Sequence, residues 1–226
     1  MNIAIIVAGG KGNRFGGELP KQFVLINGKP LMAYTLEVFN SSKHIDEIAI
    51  VSHKDYLSKT RDIVEQYHFN KVSYIIEGGE TRQESVYNAL KAITAKDDDV
   101  VLIHDCARPL VSEKIIKDNI ETCQKVNAAT TAIKATDTTI IASDEKMKET
   151  LNRDVLFQVQ TPQTFRYKLI KDAHDNCKDH KATDDAQLVR NLGHEVAIVN
   201  GSKNNIKITT QEDLMLFTSL LKEKKA

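Results

Sequence analysis

The chain carries no excess of either charge: 31 lysines and arginines are matched by 31 aspartates and glutamates in 226 residues. No global basic field would therefore draw it to nucleic acid or to an anionic membrane, although cations can still gather in one cleft. Cysteine is scarce. Cys106, Cys123 and Cys177 are odd in number, far apart and outside any CxxC pattern. They read as reduced structural thiols of a cytosolic protein. No apolar stretch approaches the roughly 20 residues that span a bilayer. The N-terminus enters a short apolar run with no basic region before it, unlike a signal peptide. Repeats, low-complexity segments and a clear interdomain linker are absent. The seven histidines are scattered, without HExxH or other ligand spacing. His104 reads as a packing or supporting residue beside Asp105, and the others as surface. What remains is an ordinary globular composition, 41% hydrophobic and 27% charged, sufficient for one cytoplasmic domain over residues 1–226.

The apolar run Ile3 to Ala8 is short, continuous and closed by Gly9-Gly10. That pattern predicts a strand buried on both faces, as in a parallel sheet. Further strands are predicted at 45–52, 72–77, 100–104, 195–199 and 206–208. Helical spacing is seen over 30–40, 54–68, 81–95, 167–177 and 184–192, and from Gln211 onward, with another helix after Pro109. This alternation predicts a right-handed, doubly wound α/β sheet, whose ligands sit at the carboxyl ends of its strands. Residues 134–160 differ. Two short β-like pieces, 136–141 and 156–160, flank the charged stretch Asp144 to Glu149, which suggests a projecting β-arm.

The most informative segment is Ala8-Gly9-Gly10-Lys11-Gly12-Asn13-Arg14, followed by Pro20-Lys21-Gln22. Glycines after a buried strand let backbone N–H groups approach phosphate oxygens. Arg14 and Lys21 add two cations beside that loop. Attack at an α-phosphorus builds charge on its equatorial oxygens, so cations aimed there stabilise the transition state. The pattern is neither a Walker loop nor the dinucleotide fingerprint. Taken alone, the glycines would fit a tight turn equally well.

Four more segments narrow the reading: Gly78-Gly79-Glu80-Thr81-Arg82-Gln83-Glu84-Ser85-Val86, His104-Asp105-Cys106-Ala107-Arg108-Pro109, Val159-Gln160-Thr161-Pro162-Gln163-Thr164-Phe165 and Asn205-Ile206-Lys207-Ile208-Thr209. Together with the glycine loop they resemble the 2-C-methyl-D-erythritol 4-phosphate cytidylyltransferases of non-mevalonate isoprenoid synthesis, in order and over nearly the whole chain. The ribitol-5-phosphate cytidylyltransferases share the loop, the PKQ and the TPQxF, and stay open as an alternative. Cys106 stands where that family usually has alanine.

The resemblance implies a nucleotide-diphospho-sugar transferase-like fold of Rossmann type. It implies transfer of CMP from CTP to a polyol phosphate, Mg²⁺ or another divalent cation on Asp105, and a homodimer. By the same resemblance Arg14, Lys21, Arg153 and Lys207 are the catalytic cations. Arg153, in the arm, would reach a partner's site. Ala8, Gly9, Gly10, Gly12, Gly79, Glu80 and Ser85 would hold the nucleotide, while Arg108, Thr161 and Thr183 would contact the acceptor. Small residues at 78–79 would let a flat base reach backbone groups, although Ser85 could equally be an ordinary helix-start hydroxyl. Asp184 and Asp185, opening a helix, read as caps favoured by its dipole, not as metal ligands.

Overall fold

The structure is a computed structural model that describes residues 1–10, 19–177 and 182–223. The first apolar run forms β1 (Asn2–Ala8). Side chains alternate across a strand, so Ile3 and Ile5 enter one core while Ala4 and Ile6 enter the other. After a 3-10 turn at Lys21–Phe23 comes a minimal hairpin, β2 (Leu25–Ile26) and β3 (Lys29–Pro30). It turns through Asn27 and Gly28, both at positive φ (50° and 79°), as a two-residue hairpin of this hand requires. The chain continues through α1 (Leu31–Ser41), β4 (Glu47–Ser52), α2 (Leu57–Gln66), β5 (Val72–Glu77), α3 (Arg82–Ala92), β6 (Val100–Asp105) and α4 (Glu113–Val126). Next are β7 (Ala128–Lys134), the small hairpin β8 (Ile140–Ser143) with β9 (Lys146–Thr150), and β10 (Phe157–Arg166). The described chain ends with α5 (Tyr167–Asp175), α6 (Asp185–Asn191), β11 (Ala197–Asn200) and α7 (Gln211–Glu223). No described helix is long and apolar enough to cross a membrane.

Seven strands form one sheet in the order β11-β7-β10-β6-β1-β4-β5. β10 runs antiparallel to its neighbours β6 and β7; every other pairing in that sheet is parallel. One layer, with α1, α2 and α4, buries Leu36, Phe39, Ile63 and Ile116 against the sheet. The opposite layer, with α3, α5 and α6, buries Val86, Leu90, Ile170 and Val189. From β1 the chain steps outward to β4 and β5, then crosses back to place β6 on the other side of β1. The carboxyl ends of β1 and β6 therefore flank a topological switch point, the position at which such sheets open a crevice.

The doubly wound reading stands, with local corrections. Ile206 to Ile208 belongs to no sheet; Ile208 instead packs with Phe217 of α7 in a third core. Its apolar alternation reflects burial beneath a helix and not a strand ladder. β7 was not anticipated, because its Ala-Ala-Thr-Thr-Ala lacks the large apolar side chains that announce a strand. The projecting arm is present, but its second strand lies inside the charged stretch, turning at Asp144 and Glu145 with φ of 52° and 59°. Both arm strands are exposed throughout; β9 carries the charge, while β8 presents Ile140 and Ile141. The segment 156–160 opens the long β10.

Candidate active site

A cleft of about 470 Å³ opens at the switch point, between the glycines after β1 and β5 and the end of β6. The glycine side of the cleft is organised by two polar side chains. Gln22, buried beneath the first loop, donates through Nε2 to the carbonyls of Ala8 (2.7 Å) and Gly10 (3.2 Å). These two carbonyls are thereby satisfied from below. Ser85, in the first turn of α3, accepts at Oγ from the Gly79 N–H at 3.0 Å. A Cβ at Gly78 would lie 3.0 Å from that hydroxyl, and one at Gly9 3.5 Å. Gly9, Gly78 and Gly79 thus converge on one buried hydroxyl. Gly79 is also required by its neighbour, since a Cβ there would strike the Glu84 side chain at 2.3 Å. Glu84 folds over Gly79 so that its carboxylate accepts from the Glu80 N–H (2.8 Å), while Thr81 caps α3 through the Glu84 N–H (3.0 Å). This is a capping box displaced by one residue.

The floor of the cleft is a charge cluster around Asp105, at the end of β6. Lys207 Nζ approaches Oδ2 at 2.7 Å and Arg82 Nε donates to Oδ1 at 3.2 Å, with Arg108 Nε 4.0 Å from Oδ2. Burial alone would raise the proton affinity of this carboxyl. The cations Arg82, Lys207 and Arg108 overcome that and hold it well below the usual carboxylate range. Asp105 is therefore ionised at neutral pH.

Behind Asp105 runs a chain of buried hydrogen bonds. The Asp105 N–H donates to Thr161 Oγ1 at 3.1 Å, and Thr161 Oγ1 lies 3.1 Å from His104 Nδ1. His104 Nε2 lies 3.1 Å from the Arg108 carbonyl. A carbonyl only accepts, so Nε2 carries the proton and Nδ1 accepts from the threonine hydroxyl. Burial lowers the His104 pKa to about 4, which keeps the imidazole neutral. Thr161 reaches this position at an irregularity in the β10 ladder between Val159 and Gln163, and such bulges re-aim side chains.

Arg82 makes a second contact through Nη1, 2.6 Å from Asp185 Oδ2. Burial disfavours its charge, but the two carboxylates raise its pKa above the already high arginine value. Asp185 is not the helix cap. Asp184 performs that role, accepting from the Gln187 N–H at 2.8 Å. Asp185 turns inward, where its other oxygen meets His174 Nε2 at 3.3 Å. His174 is correspondingly buried, not on the surface, and stacks on Tyr87 with ring centroids 5.8 Å apart. His53, also read as surface, is half-buried and lines the cleft.

The sequence-derived candidates divide accordingly. Ala8, Gly9, Gly10, Lys21, Gly79, Glu80, Ser85, Asp105 and Lys207 line one cleft. Lys21 donates through Nζ to the Ile208 carbonyl at 2.7 Å, joining the first loop to the last segment. Arg108 is buried in the wall behind Asp105, with Nη1 on the Asn205 carbonyl at 2.8 Å. Thr161 lies beneath Asp105. Thr183 is exposed beside a small adjoining recess that it shares with Arg82 and Asp185. Arg153 is exposed at the foot of the arm, donating to the Thr136 carbonyl at 3.2 Å, and does not line this chain's cleft. Arg14 and Gly12 lie outside the described residues.

Among the described residues, no three histidine, cysteine or acidic side chains gather so as to hold a metal ion unaided. Asp105 suits a different arrangement. It is ionised, each oxygen keeps a lone pair beyond its present contact, and one carboxylate plus phosphate oxygens is a common way to hold Mg²⁺.

A glycine-walled cleft with a cation-clamped aspartate at a strand end suits a polyanionic ligand, and comparison with known proteins says which family carries it. Residues 2–223 match the family model of 2-C-methyl-D-erythritol 4-phosphate cytidylyltransferase. This chain belongs to that family. A member from Clostridium botulinum (strain Langeland) is 45% identical over 225 residues, covering 98% of each chain. One from Clostridium perfringens (strain SM101) is 46% identical over 223 residues, 97% of this chain and 98% of that one. Among solved structures, 4-diphosphocytidyl-2C-methyl-D-erythritol synthase from Anaerococcus prevotii superposes with a TM-score of 0.86 at 34% identity, covering 98% of this chain and 96% of that one. The Francisella tularensis cytidylyltransferase gives 0.80 at 35% identity, over 95% and 97% of the two chains. Within this cytidylyltransferase cleft, the sequence singles out neither Arg82 nor Gln22, and it gives Asp185 only as a helix cap. Arg82 and Gln22 lay inside quoted motifs, and only their contacts distinguish them from their neighbours.

Proposed function

We propose that this chain transfers CMP from CTP to 2-C-methyl-D-erythritol 4-phosphate in the cytoplasm, giving 4-diphosphocytidyl-2-C-methyl-D-erythritol and pyrophosphate. The carrying observation is the Asp105 cluster beneath the glycine loops, a fixed array of charge where two polyanionic substrates would meet. The acceptor's phosphate oxygen is already anionic at neutral pH, so no general base is required. That oxygen forms a bond to the α-phosphorus of CTP as the bond from that phosphorus to the leaving pyrophosphate breaks. The protein's task is alignment and charge neutralisation.

Lys21, beside the first loop, and Arg14 in that loop's sequence are the cations for the developing charge. Lys207 and Arg153 align the acceptor phosphate, and Arg108, Thr161 and Thr183 serve the acceptor side. The loop glycines and Ser85 seat the nucleotide. Asp105 would hold Mg²⁺ or another divalent cation, which would supply charge neutralisation for the phosphates. The working form is a homodimer, which would bring each Arg153 to its partner's cleft. The exposed Ile140, Ile141 and Met147 on the arm support this, being apolar side chains on a strand pair with no cover in one chain.

The identities of 45% to proteins named for methylerythritol phosphate support that acceptor over ribitol 5-phosphate. Pyrophosphate release should be measured for CTP, UTP, ATP and GTP against both acceptors. CTP with methylerythritol phosphate is expected to be the fastest pair. Faster turnover with ribitol 5-phosphate would overturn the acceptor assignment.

A further inference from the structure

We propose that Asp185 is a positioning residue for nucleotidyl transfer: through Arg82 it fixes the Asp105 carboxylate and keeps that guanidinium off the incoming phosphates. The inference rests on the reading of the cleft given above and adds to it a residue that touches neither substrate.

The argument starts from Arg82. It is the first residue of α3 and lines the cleft, its side chain 28% exposed. Two polyanionic substrates would enter beside it. A free guanidinium in that place would pair with their phosphates, its preferred planar partners. Here it is already committed, with Nε to Asp105 at 3.2 Å and Nη1 to Asp185 at 2.6 Å. The two carboxylates take different nitrogens of one rigid fork, so the orientation of the guanidinium sets the orientation of Asp105.

Asp185 in turn is set from the interior. It is 1% exposed and opens α6. Its N–H donates to Gln163 Oε1 on β10 at 3.1 Å, and its second oxygen meets His174 on α5. A carboxylate in such a place carries a desolvation cost that an apolar side chain would avoid. Its partners explain its presence: it neutralises one of the three cations around Asp105 and aims it. Lys207 holds the opposite oxygen of Asp105 at 2.7 Å, so the carboxylate is gripped from both sides.

Releasing Arg82 has a specific consequence. The guanidinium becomes available to the phosphates of the ground state and leaves Asp105 Oδ1. Binding that is equal in ground and transition states does not raise kcat. Asp185→Asn should therefore bind polyphosphate more tightly and turn over more slowly. A loss of packing alone would weaken both.

The experiment uses the full chain and two readouts. Inorganic triphosphate, which cannot react, is titrated by calorimetry, and kcat and KM are measured with CTP and methylerythritol phosphate. In Asp185→Asn, triphosphate affinity is expected to rise about tenfold and kcat to fall at least about tenfold, with KM for CTP not raised. In the Arg82→Gln/Asp185→Asn double variant the affinity gain should vanish and kcat should match that of Arg82→Gln alone, because one unit has been removed twice. Asp185→Glu should recover part of the rate. Unchanged triphosphate affinity in folded Asp185→Asn, or losses that multiply in the double variant, would overturn the proposal. If Asp185→Asn does not fold, Arg82→Lys decides it, since lysine keeps the charge and cannot bridge two carboxylates. A wild-type kcat there overturns the proposal, and a fall of about tenfold supports it. A wild-type chain that released no pyrophosphate from any substrate pair would defeat the functional reading by itself, and triphosphate titration would still judge the Asp185–Arg82 bridge.

Discussion

Lys21 and Asp185 carry opposite charges, and losing either is expected to slow turnover by a different route. Lys21→Ala removes a cation assigned to the transition state, so kcat should drop by about 100-fold or more while KM for CTP moves little, as steady-state kinetics would show. A change confined to KM, with kcat unaltered, would remove Lys21 from that role. Asp185 bears on stability as well. Burial would raise its pKa, but Arg82 and His174 depress it below the ordinary value. A carboxyl depressed on folding contributes stability above its unfolded pKa of about 4, and loses it as pH falls below that point. Asp185→Asn should therefore show a flatter decline of the urea midpoint between pH 5 and 3 than the wild type does.

The opposite edge belongs to Cys123, whose thiol burial raises from 9.0 to about 12. An acid raised on folding stabilises fully below its unfolded pKa and loses that contribution as pH climbs from 9 towards 12. Up to about 4 kcal/mol is at stake for this buried thiol, and Cys123→Ala should flatten the alkaline decline in the same measurement. At this scale the sequence revealed Asp105, Lys21 and Lys207, since each lies in a recognisable motif beside a predicted strand or loop. It could not reveal the Arg82–Asp185 contact, whose partners are 103 positions apart. Asp185 follows a true cap, Asp184, and nothing local separates a carboxylate that faces solvent from one that faces the core.

Helix α3 brings Arg82 and Ser85 to the cleft, and its start is secured by Thr81. Removing that cap in Thr81→Ala should cost about 1 kcal/mol in denaturant unfolding and loosen the two cleft-lining side chains that follow. An unaltered unfolding midpoint would show that the displaced box through Glu84 suffices alone. Elements were legible where their packing left a pattern. β1, β4 and β6 are buried on both faces and spell largely apolar runs. β7 is buried over five residues yet spells alanine and threonine, because space beside β10 and α4 is limited and small side chains fill it. Ile206 and Ile208 alternate like a strand only because one flank of an extended segment meets α7.

For the molecule as a whole, the arm poses the question of assembly. If Arg153 serves a partner's cleft, Arg153→Ala and Lys21→Ala should each be inactive and yet complement one another. Mixed and reassorted, hybrid dimers would contain one intact cleft, restoring about a quarter of wild-type activity. No recovery on mixing would mean that Arg153 acts within its own chain or not at all. The overall layout was the most legible level, since strand–helix alternation alone implies a switch point and places the site there. The direction of β10 was not, because it follows from the chain leaving through the arm and returning beside β6.

The cleft is also stitched shut by its final segment. The Ile208 N–H donates to the Ala107 carbonyl at 2.8 Å, the Ile208 carbonyl receives Lys21, and Lys207 grips Asp105. A chain still emerging from the ribosome has its glycine loop, its central strands and its aspartate long before residue 208 is free to join them. On the roles proposed for Lys21 and Lys207, catalytic competence therefore arrives as a late event of synthesis, and a product interrupted before residue 207, however well its sheet has formed, is born silent.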